Sequence, residues 1–141
     1  MSYPEQILAA VQTALVSVAS LQSRIYEHNP AQPPQMAQTP VAVVRFGGIE
    51  PQAGLREREF SFEVDVFGES HWYVPLGIGP QRALLRLAKD IELALMNARN
   101  TVAVLDKLRF EGASRIVEED GQTRNGVTLR WAVIYTEQGV Q

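Results

Sequence analysis

The chain has 141 residues, a formal net charge of −3 and no cysteine. Its length fits one domain, spanning residues 1–141, that buries roughly two thirds of its unfolded surface without covalent staples. The missing cysteine excludes a disulfide scaffold, a thiolate metal cluster and a cysteine nucleophile, and the mild acidity excludes the basic stripe that general nucleic-acid binders use against phosphates. His28 and His71 alone remain for imidazole chemistry. No apolar run approaches the roughly 20 residues needed to span a bilayer, and no basic segment leads into a short apolar one at the start, so the expectation is a soluble, intracellular protein without a membrane partner.

Ser2 followed by Glu5 has the spacing of a capping box, and Pro4 is tolerated in a first turn, which predicts a helix from about Tyr3. Ile7, Leu8, Val11, Leu15 and Val18 recur at helical spacing and carry it to about Ala19. Residues 24–28 are expected to form a short strand before the proline-rich residues 29–34, which can continue neither helix nor sheet. Residues 41–46 are apolar except for Arg45, as in a strand covered on both faces or held at an interface, and Gly47-Gly48 is expected to end it. Residues 49–56, with Pro51 and Gly54, read as a loop.

Glu57 to Phe67 alternates strictly. Phe60, Phe62, Val64 and Val66 occupy one face, while Glu59, Ser61, Glu63 and Asp65 occupy the other, so the strand presses an apolar row into a core and turns an acidic row away from it. Gly68 ends this strand, and His71 to Ile78 follows as an irregular apolar connection. Gly79-Pro80 opens a second helix to about Asn100, with Leu84, Leu87, Ala88, Ile91 and Leu95 as its buried stripe and Arg86 and Asp90 on its wet side. Residues 108–118 and 127–137 predict a hairpin whose connection holds Asp120-Gly121 and Asn125-Gly126, both favouring positive φ. Val127, Leu129, Trp131, Val133 and Tyr135 line one face of its second strand, and Thr128, Arg130, Ala132 and Thr136 the other.

The expected fold is α+β: a four- to five-stranded mixed or antiparallel sheet with two amphipathic helices packed on one face. A right-handed crossover through the second helix would make the sheet mixed. The opposite face would hold Glu59, Glu63 and Asp65 with Arg130, and with Arg115 as a further candidate.

Glu63 and Asp65 point to one side of a strand and have the spacing of an acid–base or divalent-metal pair. No third polar group converges on them at a recognisable spacing, and ion pairs to Arg130 across the sheet account for them on a wet face. Gly77-Ile78-Gly79-Pro80 lacks both the Walker pattern and the dinucleotide fingerprint and reads as a turn. No catalytic residue, metal ligand or cofactor site is assigned. Trp72, Tyr73, Val74, Leu76 and Ile78 either fold back as loop packing or form an interaction surface, since Trp and Tyr dominate interface hot spots.

The capped opening helix, the strand at 41–46, the acidic strand Glu57 to Phe67, the leucine-rich helix at 80–99 and the closing strand at 126–135 together resemble the tail terminator, or tail completion, proteins of lambda-like long-tailed bacteriophages. The resemblance covers most of the chain at the level of pattern. It implies a virion tail protein, assembled in the host cytoplasm, that forms a hexameric homo-oligomeric ring on the last ring of the tail tube, ends tube polymerisation and offers the surface to which a head-completion or connector protein joins. Partners would then be the tube protein, the connector and other copies, with genomic DNA passing through without specific binding. Glu59, Glu63 and Asp65 would line the channel, where like charge repels phosphates. Trp72, Tyr73, Val74, Leu76 and Ile78 would contact neighbouring subunits or the tube. The alternatives are a head–tail connector or neck protein of the same particle, a small non-enzymatic binding module with the apolar loop as a lip, or an enzyme using Glu63 and Asp65.

Overall fold

The computed structural model describes residues 2–29, 40–119 and 122–137. The capping box forms: Ser2 Oγ accepts from the Glu5 backbone N–H at 3.3 Å while the Ser2 backbone N–H donates to Glu5 Oε1 at 3.4 Å. Hydrogen bonds from Ser2, led by its hydroxyl, hold the Glu5 carboxyl below the usual glutamate value. Helix α1 (Tyr3–Leu15) buries Ile7, Val11 and Leu15. It stops short of Ala19. A 3₁₀ turn (Ala19–Leu21) follows, and Gln22 and Ser23 at φ 49° and 63° turn the chain into strand β1 (Ile25–Glu27). Val18 and Leu21 are still buried, because the turn returns them to the core that α1 faces.

The remaining elements are β2 (Val41–Pro51), β3 (Glu57–Phe67), the short helix α2 (Ser70–Tyr73), the long helix α3 (Pro80–Thr101), β4 (Leu108–Glu119) and β5 (Gln122–Thr136). They build a five-stranded sheet in the order β1-β2-β3-β5-β4. β1 runs parallel to β2 and every other neighbouring pair is antiparallel, so the sheet is mixed. β4 also runs parallel to β3, from which it is separated by β5, and the connection between them carries α3.

Both α1 and α3 pack on one face. Phe60, Phe62, Val64 and Val66 are fully buried beneath them, together with Leu129, Trp131 and Val133 of β5 and Leu87, Ile91 and Leu95 of α3. Trp131 stacks on Phe62 at 6.4 Å between ring centroids and meets Phe110 of β4 at 4.9 Å. Tyr3 stacks on Tyr135 at 5.7 Å and so fixes the start of α1 over the end of β5. Desolvation there pushes the Tyr135 phenol above its ordinary value.

Two glycine pairs do something other than end a strand. β2 continues through Gly47 and Gly48 to Pro51 with a register shift between Phe46 and Gly48, which is a β-bulge. A Cβ at Gly47 would stand 2.9 Å from both the carbonyl and the hydroxyl oxygen of Ser61. The loop is therefore only residues 52–56, closed by Glu57 N–H donating to the Gly54 carbonyl at 3.1 Å and with Arg56 at φ 70°. Asn125-Gly126 likewise lies within β5. Asp120-Gly121 and residues 30–34 of the proline-rich stretch lie outside the described residues.

Gly126 serves a second, smaller cluster on the face away from the helices, where Val41, Val43 and Phe67 are buried and Ile116 packs against them. This gives β2 apolar cover on both faces, as its composition requires. In the sheet Gly126 lies between Phe67 and Ile116, and a Cβ there would stand 2.9 Å from Phe67 Cδ1 and 3.0 Å from the Val66 carbonyl oxygen. Valine ordinarily suits a strand better than glycine. Here the overpacking should dominate, and Gly126→Val is predicted to destabilise the fold by about 1–3 kcal/mol. Urea unfolding midpoints test this, and a midpoint raised above that of the parent chain would contradict it.

Candidate functional site

The acidic row of β3 faces away from the helices as its alternation demands, but it is not bare. Arg45 stands opposite Glu63 on β2 and binds two carboxylates at once: Nε to Asp65 Oδ2 at 3.0 Å, and Nη2 to Asp65 Oδ1 at 3.1 Å and Glu63 Oε2 at 2.7 Å. The grip on Asp65 is bidentate, the geometry in which a planar guanidinium is strongest. Thr128 Oγ1 donates to Asp65 Oδ1 at 2.6 Å, and Asp65 is only 4% exposed. Further along the row, Arg109 Nη2 reaches Glu59 Oε2 at 2.6 Å and its Nε reaches Glu111 Oε2 at 3.4 Å. The hydrogen bond to Glu59 is the main reason the Arg109 guanidinium is pushed further up.

The partner expected from sequence, Arg130, does not take part. It opposes Glu63 in the register, yet its Nη1 donates to Ser114 Oγ at 2.9 Å and its guanidinium lies over Gly112. Arg115 falls on the helix side of the sheet instead of the acidic side. A bulge between Phe110 and Gly112 reverses the alternation of β4, so Arg115 pairs with inward-facing Val127. Both oxygens of Asp65 are committed and Glu63 shares its guanidinium, so the pair presents no free-standing carboxylates for proton transfer. Among the described residues no group of three or more His, Cys, Asp or Glu side chains is placed to hold a metal ion.

The connection after β3 divides its residues between packing and exposure. It is α2 followed by a 3₁₀ turn (Val74–Leu76), not an irregular loop. Trp72 packs against the main core over Gly68, and Tyr73 and Ile78 are half-buried. Val74 and Leu76 are 63% and 51% exposed.

Two further apolar surfaces escape a reading of the sequence. On the β2–β3 hairpin, Phe46, Ile49 and Leu55 are 55%, 41% and 91% exposed, with Phe46 resting on Phe60 at 5.4 Å. Phe46 and Ile49 lie on the helix side of the sheet, beyond the helices' cover, and the bulge at Gly47 is what brings both to that side. The second is a groove of about 480 Å³ between the first turns of α3 and the β4–β5 pair, lined by Pro80, Leu84, Leu85, Arg115, Ile116 and Val127 among others. Leu85, off the buried stripe of α3 and 65% exposed, was its one visible sign in the sequence.

No protein-family model matches the chain, and no curated protein matches its sequence. Among the described residues no helix is long and apolar enough to cross a membrane.

The acidic row should separate under mutation according to burial. Asp65→Ala removes an acceptor from Thr128 and the better half of the Arg45 fork and is predicted to cost about 2–3 kcal/mol, as for hydrogen bonds to a buried charge. Glu63→Ala loses one half-exposed ion pair and should cost about 1 kcal/mol or less. Denaturant midpoints for the two variants, measured side by side, check this; equal losses would mean that burial does not set the hierarchy.

Proposed function

We propose that this protein is a structural ring component of a long-tailed phage, a tail terminator that caps the tail tube and presents the surface for head joining. The observation that carries the assembly part of this reading is apolar surface left uncovered in separate places: the β2–β3 hairpin, the turn at Val74 and Leu76, and the groove beside α3. A protein that acts alone seldom leaves aliphatic and aromatic side chains this exposed in groups. The tail-terminator part rests on the pattern of capped helix, acidic strand, leucine-rich helix and closing strand described above.

In this reading the subunits form a hexameric ring, and the face with Glu59 and Glu63 borders the channel through which DNA passes. Asp65 has a supporting role there. Buried beneath Arg45, it orients the guanidinium that binds Glu63, so reversing its charge would damage the fold before it altered the channel. Val74 and Leu76 are the exposed members of the apolar turn and the ones offered to the tube or to a neighbour, while Trp72 anchors that turn to the core.

The deciding experiment adds the purified protein to the polymerising tube protein of the same phage. Tubes should stop growing at a low ratio of added protein to tube subunits, with rings visible at their ends by negative-stain electron microscopy. Tubes of unchanged length without terminal rings would refute the terminator assignment. Rings that bind the head connector but leave tube growth unaffected would assign the protein to the neck.

A further inference from the structure

We draw no further inference here: the strongest candidate, the apolar groove between the first turns of α3 and the β4–β5 pair, carries none because nothing in the structure shows what covers it.

Discussion

The alternation of β3 is the constraint on which the rest of the structure depends. It is the central strand of five, hydrogen-bonded to a neighbour along its length on each side, and its two faces demand opposite surroundings. The aromatic and β-branched row draws both long helices onto one face. A one-residue slip in register would put four apolar side chains in water and the acidic row in the core, so the pairing with β2 and β5 is fixed by burial more than by any turn. The acidic row, in turn, needs cations from elsewhere in the sheet. Arg45 comes from β2, and Arg109 comes from β4, with β5 lying between it and Glu59. Arg109's own partner on β5 is Ala132, whose single methyl leaves the guanidinium room to cross.

Much of this architecture was legible because it follows from periodicity. The capping box at Ser2, the two faces of β3, the stripe of α3 and the inward row from Val127 to Tyr135 are each set by local spacing and stand where that spacing puts them. What escaped depends on contacts distant in sequence. Gly47-Gly48 and Asn125-Gly126 resemble turn signals, yet Gly47 is required by Ser61 and Gly126 by Phe67, on a neighbouring strand that sequence spacing cannot place. The arginine partners were misassigned for a related reason. Choosing Arg45 over Arg130 requires the registers of two strand pairs and the absence of a side chain at Gly112, and the side taken by Arg115 turns on a bulge that adds one residue to β4. The apolar turn at 70–78 mixed two roles in one run of sequence, and only the position of Gly68 beneath Trp72 separates the anchor from the exposed Val74 and Leu76.

The two edges of the sheet are managed unequally. β1 covers only the first part of β2, and the remainder of that strand keeps one line of backbone donors and acceptors open, next to exposed Phe46 and Ile49. Natural proteins usually blunt such an edge with charge, proline or a bulge. β2 has all three in Glu50, Pro51 and the bulge at Gly47, so indefinite strand-on-strand pairing is disfavoured there.

The ion pairs also change what a channel lined by this face would do. Its described charged side chains are Glu50, Glu57, Glu59, Glu63, Asp65 and Glu111 against Arg45, Arg109 and Arg130, six negative and three positive, which leaves three net negative charges, with Glu50 and Glu57 in no ion pair among the described residues. Unpaired carboxylates would repel a phosphate backbone over a Debye length of about 8 Å at physiological salt, whereas paired ones act mainly as local dipoles that decay faster with distance. Such a wall does not grip DNA, and it repels DNA mainly at the hairpin end, where Glu50 and Glu57 stand. Where the carboxylates are paired, adhesion would vary little with ionic strength, because the neutralising charges are built into β2 and β4 and not borrowed from the solution.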